Sequence, residues 1–218
     1  NAPYQLCQDS RQSNLQSTPS LELLMKSQEV IDESSGYSLQ GSYTPDLVFS
    51  KLWLVHELER YLKSQNIKEI PVAYILGSWY SNLSTIMRKR NFPVGRIVDV
   101  EKTARYLPTA QKIQRAMNID GVEYMIADAN DLDYRQLQDP GLVINCSLTD
   151  MDGSDWFENI PPDTIVVLQA RDQDPGHEFH SPQDIQKQFP LSDVVYQGSA
   201  ELSDPETDYH RFMTIGLK

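Results

Sequence analysis

Cysteine and histidine are scarce in this chain of 218 residues, with two of the first and four of the second. Cys7 and Cys146 lie far apart, one in a polar stretch and one at the end of an apolar run. That suits two free thiols and excludes a disulfide framework or a Cys/His metal cluster, so no metal is expected. Basic residues are also short: 19 Lys and Arg face 31 Asp and Glu, a net charge of -12. Such a surface offers no general attraction to phosphate backbones, which disfavours nucleic acid as a partner despite the local patch Arg88-Lys89-Arg90. Long apolar runs are missing, as is the basic start and apolar stretch of a signal peptide at Asn1-Ala2-Pro3-Tyr4-Gln5. The expectation is a soluble, acidic, cytoplasmic protein with no membrane partner.

What is present is an alternation of short apolar runs and helical spacing. Residues 1–18, rich in Gln, Ser and Asn, read as a flexible arm. Residues 19–69 read as a helical segment. A first stripe of Leu21, Leu24, Val30 and Ile31 follows Pro19; a second helix has Thr44 as N-cap, Pro45 at its first position and an apolar face from Leu47 to Tyr61. From residue 70 onward the apolar runs 71–76, 95–100, 122–127, 141–146 and 164–169 alternate with helical candidates at 81–90, 103–117 and 154–159. That is the pattern of a parallel sheet with crossover helices. The last two runs, 194–197 and 211–217, have no helix signal between them, so they are expected to pair antiparallel. The fold class predicted is α/β, a doubly wound, mostly parallel sheet with an antiparallel last strand, over 70–218.

In such a sheet ligands bind beyond the carboxyl ends of the strands, so the residues ending each run carry the chemistry. The first run ends in a glycine turn, Gly77-Ser78-Trp79. Asp99 lies 22 residues after Gly77, and an acid about 20 residues past such a turn is placed to grip both ribose hydroxyls of a nucleoside cofactor. Asp128 ends the third run, placed to accept from an exocyclic amine such as that of adenine. Two acids on neighbouring strands favour a cofactor that carries positive charge over one with extra phosphates.

Four stretches, "VAYILGSWYSN", "RIVDVEKTA", "MIADANDLDY" and "LVINCSLTDM", resemble motifs I to IV of the class I S-adenosylmethionine-dependent methyltransferases. The pair "VVYQGSAEL" and "YHRFMTIGL" resembles their reversed last strand. The resemblance implies S-adenosylmethionine as cofactor, with Gly77, Ser78 and Trp79 at the turn, Asp99 on the ribose, Asp128 and Ala129 on the adenine, and Asn145 facing the methyl group. Motif I departs from Gly-x-Gly-x-Gly. S-adenosylmethionine has no pyrophosphate, which relaxes the need for bare backbone, and Trp79 and Tyr80 offer aromatic faces to a sulfonium.

Each of these residues has an ordinary reading too. Gly77 serves any strand-to-helix turn, and Asp99 is suited to capping a helix. Glu101 and Asp131 read as solvated or capping residues, and Met151, Trp156 and Phe157 as packing on the sheet edge. Cys146 has no basic neighbour in sequence and reads as a small buried hydrophobe. Candidate bases for an acceptor proton are Asp150, His177 and His180, the two histidines in a polar loop over the pocket. The functional expectation is methyl transfer to a small molecule. Alternatives are another S-adenosylmethionine reaction on the same fold, lyase or alkyl transfer, and a non-catalytic binding protein. A nicotinamide-dependent dehydrogenase is disfavoured by the missing glycines.

Overall fold

The structure is a computed structural model that describes residues 41–172, 179–204 and 207–218. The expected arm at 1–18, the apolar stripe after Pro19, and His177 lie outside the described residues. Seven strands form one sheet in the order β3-β2-β1-β4-β5-β7-β6. They are β1 (Ile70–Leu76), β2 (Val94–Glu101), β3 (Val122–Ile126), β4 (Leu142–Asn145), β5 (Ile165–Arg171), β6 (Asp193–Ser203) and β7 (Asp208–Leu217). β1 to β5 are parallel, and β7 runs antiparallel between β5 and β6. The α/β class and the antiparallel closing pair expected from the sequence are therefore observed.

The central strands are apolar on both faces because both faces are covered. Along β1, Ala73 and Ile75 join one core with α1 (Pro45–Ser64) and α2 (Asn82–Lys89), while Val72, Tyr74 and Leu76 join a second on the opposite face. α3 (Leu107–Ala116) adds Ile113 to the first core. α4 (Asp155–Glu158) adds Trp156 and Phe157 to the second, where both pack on Phe189, one tilted and one edge-on. The reading of those two aromatics as packing residues agrees with this.

α1 starts with Pro45 in its first turn, but Thr44 makes no side-chain cap: its hydroxyl donates to Gly41 O instead. The helix is fastened to the sheet by polar contacts. Tyr209 on β7 donates to Asp46 at 2.5 Å, Ser50 donates to Gln169 on β5 at 3.2 Å, and Trp53 donates to Tyr196 on β6 at 3.0 Å. The stretch after β5 contains α5 (Pro182–Gln188), a helix the sequence reading did not name. Its start is a reciprocal cap: Ser181 Oγ accepts from the Asp184 amide while Asp184 accepts from Ser181 Oγ and the His180 amide. Ile185 is its one buried residue, too weak an apolar stripe to register as periodicity.

Candidate functional site

Beyond the carboxyl ends of β1 to β4 lies a cavity of about 450 Å³. Gly77 begins its floor, turning the chain with φ +61°. A Cβ there would lie 3.0 Å from the side chains of Met151 and Ser147, so close packing adds to the conformational preference for glycine. Trp79 and Ser81 also have positive φ, 52° and 60°. Left-handed backbone at a residue bearing a Cβ costs roughly 1–2 kcal/mol. The turn thus keeps left-handed geometry at every second position while using glycine only at the first.

Trp79 is held in that conformation from two sides. Its amide donates to Glu101 Oε2 at 3.0 Å. Its ring packs on Tyr80 and Tyr106 at 5.2 and 6.2 Å between centroids, and Tyr80 meets Tyr106 at 5.0 Å. Trp79 and Tyr106 both line the cavity.

β2 supplies two carboxylates, which the structure places at different depths. Asp99 is only 1 % exposed, lies beneath α2 and accepts from Ser84 Oγ at 2.7 Å. Burial pushes its carboxyl up from 3.8 to about 7, against the pull of the Ser81 and Ser84 hydroxyls. The spacing places it on the ribose; in the structure it is not among the residues that line the cavity. Glu101, one strand period further on the same face, does line it. Its Oε1 accepts from the Thr103 amide at 2.8 Å and its Oε2 from Trp79. Each carboxylate oxygen keeps a further acceptor position. Glu101 thus has the capping role read from the sequence, accepting from two backbone amides, and it lines the cavity as well.

Asp128 follows β3 and lines the cavity. It caps the turn at Ala129–Asp131, accepting from the Asn130 amide at 3.0 Å, and pairs with Lys102 at 2.6 Å. The hydrogen bond from Lys102 holds the carboxyl below its ordinary range. Ala129 beside it is buried and also lines the cavity. At the end of β4, Asn145 is fully buried behind the lining; its side chain accepts from the Ser147 amide at 2.9 Å and donates to Met151 Sδ at 3.2 Å. Asn145 therefore sets the positions of two residues that line the site rather than lining it. Ser78 is likewise buried, its amide donating to Val100 O at 3.0 Å.

Of the residues expected from sequence, Gly77, Trp79, Asp128, Ala129 and Asp150 come together around the cavity, and Ser78, Asp99 and Asn145 stand behind it. His180 is exposed on the cap of α5, outside the lining. The lining residues not foreseen include Lys102, Tyr106, Met151 and Asp152. Four carboxylates, Glu101, Asp128, Asp150 and Asp152, face one ammonium, Lys102, so the site favours a ligand with positive charge. Among the described residues no cluster suited to a metal ion exists.

No family model matches the chain, and no curated protein does. Solved structures do. A structure of MtNAS in complex with MTA and tNA superposes with a TM-score of 0.51 at 15% identity, covering 94% of this chain and 72% of that one. A SAM dependent methyltransferase from Aquifex aeolicus gives 0.52 at 11%, covering 73% and 88%. The fold is that of the class I methyltransferases. Magnesium protoporphyrin IX methyltransferase from Synechocystis, with bound SAM, gives 0.50 at 12% over 78% of this chain and 84% of its own. At these identities the likeness concerns the class I fold, whose ligand cavities open, as here, at the carboxyl ends of the parallel strands.

Proposed function

We propose that this chain is an S-adenosylmethionine-dependent methyltransferase acting on a small molecule. The observation that carries the reading is the cavity itself: a left-handed turn at Gly77, an acid at the end of β2 and an acid at the end of β3 line one space. The residues fit the cofactor. Glu101 has acceptor positions for two ribose hydroxyls, Asp128 and Ala129 lie at the next strand end for the adenine, and Trp79 and Tyr106 offer ring faces to a cation. When bound, S-adenosylmethionine supplies a methyl group already activated on a sulfonium. The protein's part is then to align the acceptor, exclude water and accept a proton where the acceptor has one to lose. Asp150, beyond β4 and on the cavity, is the candidate for that proton; His180 stands aside. The net charge of -12 supports a small acceptor over nucleic acid.

A second reading keeps the cofactor and moves the attack to another carbon, transferring the aminocarboxypropyl group. It is favoured by one observation: the MtNAS structure, which holds MTA, matches 94% of this chain, against 73% and 78% for the methyltransferases. Incubating the protein with S-adenosylmethionine and candidate acceptors, followed by mass spectrometry, separates the two. S-adenosylhomocysteine and an acceptor heavier by one methylene support methyl transfer; methylthioadenosine supports the second reading. Turnover to neither product across a broad acceptor set, with cofactor bound, argues for a binding protein.

A further inference from the structure

Lys102 is the one basic residue among the described residues that line the cavity, where four carboxylates accompany it. It directly follows Glu101, the last residue of β2, while Asp128 stands just past β3, the neighbouring parallel strand. Adjacent strand ends bring the two side chains together, and Lys102 Nζ lies 2.6 Å from Asp128 Oδ2. The oxygens of Asp128 are divided. Oδ1 accepts from the Asn130 amide at 3.0 Å and from Asn130 Nδ2 at 3.2 Å, which fills both of its acceptor positions. Oδ2 is the oxygen that meets Lys102, and it keeps a second acceptor position. Asn130 is held in turn, its Nδ2 donating to Asp152 O at 2.8 Å and its Oδ1 accepting from the Trp156 amide at 3.2 Å. The carboxylate is therefore fixed by its surroundings. Lys102 is not: its side chain is 72% exposed, on a flexible stem with three rotatable donors.

An ion pair this exposed contributes little to stability. What it supplies is a donor beside an acceptor on the wall of the cavity. The edge of a purine carries the same two functions side by side. In adenine the exocyclic amine donates and the adjoining ring nitrogen accepts, whereas in hypoxanthine the ring N–H donates and the exocyclic oxygen accepts. A fixed carboxylate alone rewards the amine and repels an oxygen in its place. With a mobile ammonium at its side the pair matches either order, because Lys102 can donate to the ring nitrogen of the one base or to the oxygen of the other while Asp128 Oδ2 accepts. We propose that Lys102 makes the base subsite tolerant: together with Asp128 it binds a 6-oxopurine nucleoside as well as a 6-aminopurine one. The proposal rests on the reading of the cavity as an S-adenosylmethionine site and goes beyond it in naming the residue that sets the choice of base.

The test is calorimetric titration of the full chain with S-adenosylhomocysteine and with S-inosylhomocysteine, its deaminated 6-oxo counterpart. The two ligands differ only at the base edge, so the ratio of their affinities isolates the subsite. A good paired contact at a base edge discriminates against the wrong base by roughly 5- to 150-fold. In the parent the two affinities are expected to agree within about fivefold. Lys102→Met removes the donor and leaves the carboxylate, and there the 6-oxo ligand is expected to fall behind by a further factor of about ten or more. Lys102→Arg restores a donor and is expected to restore the tolerance. Lys102 is largely exposed, so neither substitution disturbs the core. A parent that binds S-adenosylhomocysteine but rejects the 6-oxo ligand by more than about fivefold overturns the proposal and leaves the cofactor reading standing. A ratio that Lys102→Met does not move overturns it too, since the tolerance then has another source. Binding of neither ligand to the folded parent overturns the cofactor reading, and the proposal with it.

Discussion

Asp99 and Glu101 sit on the same face of β2 and differ in solvent. Asp99 is sealed under α2, so its carboxyl holds a proton to about pH 7, whereas the unfolded chain releases it near 3.8. Between those values the unfolded state binds fewer protons than the native state, and stability falls as pH rises across the window. The ceiling on this loss is about 4 kcal/mol. Asp99→Asn keeps an oxygen for Ser84 and cannot ionise. We expect urea midpoints of the parent to fall between pH 4 and 7 and those of Asp99→Asn to fall much less; parallel slopes would show that the carboxyl is already ionised in the native state.

Elements rather than single residues explain why some of the site was legible. The glycine turn and Asp128 were found because both follow apolar runs whose ends the sequence marks clearly. Asp99 stands behind the cavity and Glu101 lines it because spacing counts residues, while the pocket begins where a strand ends, and β2 continues to Glu101. Alternation reports the face a residue takes, not its depth along the strand. The contact of Arg211 with the Cys146 carbonyl was illegible, since one residue lies on β7 and the other just past β4, and they meet only through the tertiary fold. α5 was missed, yet Ser181-Pro182 with Asp184 was a start signal. Ser181→Ala removes that cap and is expected to lower unfolding free energy by about 1 kcal/mol; an unchanged denaturant midpoint would show that packing of Ile185 alone holds the helix.

The β1–α2 turn is the other element whose chemistry can be separated from its geometry. Trp79→Gly relieves a left-handed tryptophan, worth roughly 1–2 kcal/mol, and removes its contacts with Tyr80 and Tyr106, each worth about 0.5–1.5 kcal/mol. The buried area of the indole on the core is lost as well, so the losses outweigh the relief and thermal stability is expected to fall. If the indole faces the sulfonium, affinity for cationic S-adenosylmethionine falls about 2- to 30-fold while neutral S-adenosylhomocysteine loses much less. Equal losses for both ligands would assign the ring a purely packing role.

At the scale of the molecule, one sheet carries everything: its central strands end at the cavity, and β5, β6 and β7 fasten α1 to the sheet through Ser50, Trp53 and Asp46. No helix among the described residues is long and apolar enough to cross a membrane. The acidic surface repels polyanions, while the cavity concentrates the same sign around one ligand. The central claim, a cofactor pocket with Glu101 rather than Asp99 as its ribose acid, is tested most directly by calorimetric titration. The parent, Glu101→Gln and Asp99→Asn would each be titrated with S-adenosylhomocysteine, with NAD as control. The account predicts micromolar binding to the parent and to Asp99→Asn, at least a tenfold loss in Glu101→Gln, and no binding of NAD. Undiminished binding in Glu101→Gln with loss in Asp99→Asn, or no binding to the folded parent, would contradict it.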